Sequence, residues 1–150
     1  KQEFGPARSK AVIIADLDKG RRKLESILGN DFFPVFTPPW NRCDQRTLIH
    51  LNQKKYRAVS RFKGSIPQSL SGLPDLYVNV DLHTRKDADS DQMWNNLLND
   101  FTHAFESGYC GVMLHHQRMS LAAFSFLEYL LKFVVNSPHV QVTNFNQMVV

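Results

Sequence analysis

Two adjacent histidines have the clearest capacity for acid–base chemistry in this chain. His115 and His116 end an apolar run that begins at Cys110 and has the composition of a buried strand. Because side chains alternate along a strand, one imidazole faces the interior and the other faces outward. An inward histidine at a strand end is suited to act as a general acid, a general base or a metal ligand. A histidine held in the core by packing alone is the alternative, and the sequence leaves both open.

A carboxylate and a third imidazole, Asp81 and His83, stand two positions apart at the end of another predicted strand. This spacing puts both side chains on one face, as half of a metal site or as a base with its orienting partner. A loop-capping Asp81 with a partly exposed His83 is the alternative. A metal site built from Asp81, His83 and His115 in an unrelated α/β domain is a further hypothesis, and His83 is then a candidate metal ligand.

The segment Thr37-Pro38-Pro39-Trp40-Asn41-Arg42 follows a third short apolar run. Two prolines fix the backbone there, so the aromatic ring and the polar pair after it are held rigidly. The flat apolar face of a tryptophan packs well on the CH groups of a sugar ring, and Arg42 is suited to orient an anion or carboxylate. A proline-stiffened turn with Trp40 filling the core is the competing interpretation.

Alternating helical and extended patterns must position these residues. Because helices alternate with strands, we predict an α/β fold of parallel strands with helical crossovers, in one domain spanning residues 1–150. In such folds the chemistry lies at the carboxyl ends of the strands. The patterns predict helices over residues 9–28, 44–55, 89–106 and 120–136, and strands over 32–36, 57–62, 76–82, 110–115 and 140–143.

Composition and missing motifs exclude several classes of function. The chain has 150 residues, of which 43% are hydrophobic and 21% charged, which is typical of a globular domain and not of a disordered one. No apolar run approaches the roughly 18 residues of a membrane span. Nucleotide-binding glycine motifs and the nucleophile elbow of hydrolases are absent. Neither a cytoplasmic nor a periplasmic location is favoured.

Charge and cysteine usage point to no nucleic-acid partner and no zinc ribbon. The net charge is +4, and the basic clusters are flanked by acids without interleaved aromatics, which favours solvated helix faces over a nucleic-acid surface. Two distant cysteines are too few for a zinc ribbon, and we expect them to be free thiols rather than a disulfide. The basic clusters are Lys19, Arg21, Arg22 and Lys23, and Lys54, Lys55 and Arg57.

Three segments in order, FTPPWNR, MLHHQRM and LAAFSFLEYLL, resemble the polysaccharide deacetylase family, also called the NodB-homology or carbohydrate esterase family 4 group. The resemblance implies a distorted (β/α) barrel in which zinc or another divalent metal helps water remove an acetyl group from a carbohydrate substrate. It also implies that His115 or His116 is the acid and that Asp81 tunes it. The family's usual spacing between the acid histidine and the following helix, counted back from residues 126–128, selects His115. The family's Leu-x-His pattern, counted forward from Leu114, selects His116 instead. We prefer His115. Pro39 and Trp40 would line the sugar groove, with Arg42 nearby.

The family's paired aspartates and its HxxxH metal motif are both missing, and Thr37 stands where the family often has an arginine. The chain therefore resembles the C-terminal two-thirds of a deacetylase barrel, and its N-terminal part would be supplied from elsewhere. The resemblance implies that this fragment binds no metal by itself. A non-catalytic carbohydrate-binding or structural relative that lacks the metal site is the alternative function.

Overall fold

A computed structural model describes residues 2–82 and 89–149 of the chain. The fold mixes helices with short parallel strands and forms two compact units, Lys1–Tyr77 with Phe145–Val150 (unit 1) and Val78–Asn144 (unit 2). In the part of the chain that is described, no helix is both long and apolar enough to cross a membrane. The prediction of a single domain stays a prediction.

Helix α1, Lys10–Leu28, opens unit 1 and follows the predicted bounds. The Ser9 side chain accepts a hydrogen bond from the Val12 N–H, which satisfies one of the free donors of the first turn. Gly29 ends the helix at φ 53°, a left-handed conformation that glycine adopts without steric cost. Ile13 and Leu17 are the two buried residues of α1, and they join the core of unit 1.

A β–α–β element forms the rest of the unit 1 framework. Strand β1, Val35–Phe36, pairs in parallel with β2, Ala58–Val59, and helix α2, Gln45–Gln53, connects them. The Asp44 side chain caps α2, as predicted, by accepting from the Thr47 N–H. Both strands are shorter than predicted. Prolines 34 and 38 flank β1 and cannot donate to a ladder, which limits the pairing to two residues.

Unit 2 repeats this arrangement. Strand β3, Val80–Asp81, pairs in parallel with β4, Val112–Met113, and helix α3, Ser90–Glu106, makes the crossover. Helix α4, Leu121–Asn136, follows β4 and begins after the predicted Ser120 cap. The buried core of this unit consists of one side chain from β3 and three from α3, namely Val80, Leu97, Phe101 and Ala104. Five partly buried side chains pack against it, namely Leu82, Cys110, Val112, Phe126 and Leu130.

Two predictions about strands are wrong. Residues 140–143 form no strand; Val142 is exposed, and a short helix, α5, Phe145–Met148, follows. An extended segment needs a neighbouring strand to pair its backbone groups, and none pairs with it in the described parts of the chain. The run ending at His115 is half-buried, with Leu114 exposed, rather than buried on both faces.

The parallel strands with helical crossovers are confirmed, but only as two short pairs. In residues 2–82 and 89–149 the strands form the separate sheets β1–β2 and β3–β4, with no closed barrel. The distorted (β/α) barrel therefore remains a proposal.

Candidate functional site

Asp81 and His115 meet at the carboxyl edge of the unit 2 strands. Asp81 is the last residue of β3 and lies opposite Met113 of β4. His115 comes two positions after Met113 in the chain. The His115 Nδ1 lies 4.0 Å from the Asp81 Oδ1. This distance suits an ion pair with a protonated imidazole and is longer than a hydrogen bond. The structure therefore places an imidazole and a carboxylate side by side at this edge of the sheet.

Asn79 fixes the register that brings this pair together. Its side-chain amide donates to the Tyr109 carbonyl at 2.9 Å, and its Oδ1 accepts from the Gly111 N–H at 2.8 Å. The Leu82 N–H donates to the Met113 carbonyl at 3.3 Å and extends the pairing past Asp81. A one-residue slip would turn Asp81 to the opposite face of the sheet. Asn79 carried no recognisable signal in the sequence, because its partners are about thirty residues away.

The structure separates the two adjacent histidines. His116 is exposed and begins a 3₁₀ turn, His116–Arg118, in which the Arg118 N–H donates to the His115 carbonyl. His115 precedes the turn and stays against Asp81. Of the two histidines that the sequence offered as candidates, His115 is therefore the one that lies beside Asp81.

The described residues do not by themselves make a zinc site. Catalytic zinc needs about three protein ligands, and no group of three or more His, Cys, Asp or Glu side chains with metal-binding geometry occurs in residues 2–82 and 89–149. Asp81 and His115 would supply two ligands, and His83 lies outside the described residues. We assign no metal ligand, and no step below passes through a metal.

We expect the 150-residue chain to retain less than one equivalent of zinc after incubation with excess metal and dialysis. Asp81 and His115 alone offer too few ligands for tight binding. Elemental analysis of the dialysed protein measures this, with an Asp81→Asn, His115→Ala double variant as the control. One tightly held zinc per chain that the double variant loses would instead support a site built from Asp81, His83 and His115.

Trp40 lies on the surface of unit 1, in an unusual backbone conformation. Pro39–Asn41 forms a 3₁₀ turn after β1, with Trp40 at φ 61° and Asn41 at φ 56°. The left-handed region is common for asparagine but unfavourable for a bulky residue such as tryptophan. The Trp40 side chain is 57% exposed, so the interpretation of Trp40 as core filler is wrong and its predicted solvent access is confirmed. Trp40 belongs to unit 1 and the histidines to unit 2, so their expected proximity stays a prediction.

The other members of the predicted sugar-binding segment differ in exposure. Pro39 is half-buried as the first residue of the turn, Asn41 is half-buried, and Arg42 is exposed. An exposed guanidinium next to an exposed aromatic ring is a combination suited to a polar ligand with apolar CH faces.

A buried arginine supports the segment that follows this turn. Arg61, just past β2, is wholly buried, and its Nε donates to the Asp75 Oδ2 at 2.9 Å. Its Nη1 donates to the Pro67 carbonyl at 2.9 Å and lies 4.0 Å from the Cys43 Sγ. The Asp75 Oδ1 is buried without a hydrogen-bond partner in the described structure. The ion pair between Arg61 and Asp75 is visible only in the fold.

Both cysteines are free thiols, as predicted. Burial raises the pKa of Cys43 to about 11, and the positive charge of Arg61 only partly opposes this effect. Burial also raises the pKa of Cys110. The thiolate is the reactive form of cysteine, so neither side chain is suited to be a nucleophile at neutral pH.

One member of the first basic cluster is structural rather than solvated. The Arg21 guanidinium donates to the Glu25 carboxylate at 2.7 Å and to the Lys54 carbonyl, and it lies over the Tyr56 ring at 5.2 Å. Lys54 in turn lies 3.3 Å from the Asp18 carboxylate. These pairings reduce the positive field available to an anionic polymer.

Comparisons with protein-family models, with curated proteins and with solved structures found no match to this chain.

Proposed function

We propose that the chain is part of a polysaccharide deacetylase-like hydrolase, which removes an acetyl group from a carbohydrate. The observation that carries this proposal is the pairing of His115 with Asp81, 4.0 Å apart, at the carboxyl ends of parallel strands β3 and β4. Active residues of parallel α/β folds concentrate at that edge. The order of the segments FTPPWNR and MLHHQRM, and their resemblance to the deacetylase family, supplies the substrate class.

In this proposal His115 is the general acid of the reaction. Water adds to the acetyl carbonyl carbon and gives one proton to a base in another part of the complete protein, and the tetrahedral intermediate then breaks its bond to the sugar nitrogen or oxygen. The His115 imidazolium gives its proton to that leaving atom, so acetate and a free amine or hydroxyl result. Asp81 is a positioning residue, because its carboxylate lies beside the His115 Nδ1 and orients the ring for the transfer. The metal that the family uses to activate water would be held by residues elsewhere in the complete protein.

Trp40, Pro39, Asn41 and Arg42 are the proposed carbohydrate contacts of unit 1. The exposed face of Trp40 stacks on the CH groups of a sugar ring, and Arg42 and Asn41 orient polar substituents. The left-handed backbone at Trp40 supports this assignment, because strained residues concentrate at functional sites.

A non-catalytic carbohydrate-binding protein is the second candidate function. The exposed, rigidly presented Trp40 favours it, since sugar stacking needs neither a metal nor an acid. The two candidates make different predictions for the complete protein. The hydrolase releases acetate from an acetylated oligosaccharide and stops when His115 is changed, whereas the binder retains the intact ligand and is insensitive to that change.

Acetate release measured with the complete protein and added zinc tests the main proposal. We would supply an N-acetylhexosamine oligosaccharide and an O-acetylated oligosaccharide in parallel, because the chain does not indicate the acetyl linkage. Release of acetate from either substrate that depends on His115 supports the hydrolase. Binding without any release, in wild type and His115→Ala alike, would favour the carbohydrate-binding alternative.

Replacing Trp40 with Gly should weaken carbohydrate binding without destabilising the protein. Loss of the aromatic face should raise the dissociation constant for an acetylated oligosaccharide by a factor of about 3 to 10. Glycine adopts the left-handed conformation freely, so the unfolding midpoint should stay the same or rise. Calorimetric titration and urea unfolding measure the two effects.

Trp40→Phe is the matched control, because it keeps an aromatic face at the same position. We expect it to bind nearly as well as wild type. Equal affinity for the wild type and the glycine variant would remove Trp40 from the carbohydrate site.

A further inference from the structure

Helix α4 has two apolar faces, and only one of them packs within unit 2. Phe126 and Leu130 lie against the core formed by β3 and α3. No residue of α4 is fully buried, although nearly all of its residues are apolar. A helix that is hydrophobic all round is usually covered on all sides.

The second apolar face forms a continuous stripe. It consists of Leu121, Phe124, Leu131 and Val135, with Leu121 88% exposed and Val135 71% exposed. These residues follow the alternating three- and four-residue spacing of a coiled-coil seam, and Glu128 occupies the one position that is not apolar. Exposed apolar surface of this extent marks an interaction site. We call these four residues the outer stripe.

The charges of α4 indicate what pairs with the outer stripe. Glu128 and Lys132 are the only charged residues of the helix; both are exposed and lie near its middle. A parallel copy of α4 would set Glu128 beside Glu128 and Lys132 beside Lys132, which is repulsive. An antiparallel copy, related by a two-fold axis between positions 129 and 130, sets Phe124 opposite Val135 and brings each Glu128 near the Lys132 of the other copy.

We propose that the outer stripe is a homodimer interface in which α4 pairs antiparallel with α4 of a second copy of this chain. In this register Phe124 meets Val135 on both sides of the axis, and each Glu128 lies opposite Leu131 and beside the Lys132 of the other copy, so the contact is two-fold symmetric. This inference is independent of the proposed hydrolase function, because no residue of the outer stripe belongs to the candidate site.

Sedimentation of the chain over a concentration series tests the interface. We expect a dimer for wild type and a monomer for Val135→Lys, because this lysine lies opposite Phe124 of the other copy and its charge is buried without a partner. Ile27→Lys is the matched control; Ile27 is exposed on α1, outside the stripe, and this variant should stay dimeric. Both positions are exposed, so both variants should fold, which circular dichroism checks. A monomeric wild type, or a dimeric Val135→Lys variant, would overturn the proposal.

Charge reversal distinguishes contacts between copies from the ion pair within one helix. Glu128→Lys makes each α4 wholly positive and Lys132→Glu makes it wholly negative, so each variant alone should dimerise at least about tenfold more weakly. Mixing the two should restore dimers, since opposite charges then meet across the interface. Failure of the mixture to form dimers would contradict the antiparallel arrangement.

Discussion

Under the proposed function, His115→Ala should lower kcat for acetyl release by a factor of about 10² to 10⁴ in the complete protein, which is the usual contribution of a general acid. The reason is the position of His115, whose Nδ1 lies 4.0 Å from the Asp81 carboxylate, at the edge where parallel strands end. KM should change little, because the proton is transferred during the reaction and not on binding. Steady-state kinetics on the acetylated oligosaccharide measure both constants.

His116→Ala is the matched control for that substitution. His116 is exposed in the 3₁₀ turn after β4, so its removal should change kcat by less than about threefold. Asp81→Asn keeps the size of the side chain but removes its charge, and it should lower kcat because the His115 ring loses the carboxylate that orients it. A large loss in His116→Ala with a small one in His115→Ala would transfer the acid role to His116.

Arg61→Met should destabilise unit 1 by about 3 kcal/mol, near the lower end of the cost of breaking a buried ion pair. The substitution removes the partner of Asp75, whose side chain is 24% exposed and therefore keeps some contact with water. It also removes the donor to the Pro67 carbonyl. Urea unfolding followed by circular dichroism measures the free energy of unfolding.

Two further variants test the origin of this effect. Arg8→Met breaks an exposed ion pair with Asp16 and should cost less than about 1 kcal/mol. The double variant Arg61→Met, Asp75→Leu should be more stable than Arg61→Met alone, because it leaves no unpaired buried carboxylate. An Arg61→Met protein as stable as wild type would show that the buried pair contributes nothing to the fold.

The helices could be located from the sequence because their signals are local. Ser9, Asp44, Asp89 and Ser120 each cap the helix that the hydrophobic spacing predicts, by accepting from an N–H three residues ahead. A cap and its helix lie within one turn of chain, so no distant residue is needed to read them. The four main helices therefore begin within a residue or two of their predicted starts.

Strand length was less predictable because a strand is completed by its neighbour. The apolar run 140–143 has strand composition, yet no neighbour pairs with it in the described part of the chain, and Val142 is exposed. Strands β1 and β2 do pair, but over only two residues each, because Pro34 and Pro38 on either side of β1 cannot donate to the ladder. Composition therefore located four of the five predicted strands but not their extent.

Residue types and their patterning identified the side chains that are capable of chemistry and placed each of them at or just after the end of a strand: Asp81, His115, His116 and the Pro39–Arg42 segment. Which of them meet depends on the way the strands pair. The register of β3 on β4 sets His115, and not His116, against Asp81, and the fold of unit 1 buries Arg61 against Asp75. Both contacts join residues far apart in the chain, so their energy depends on distances that appear only after the strands pair.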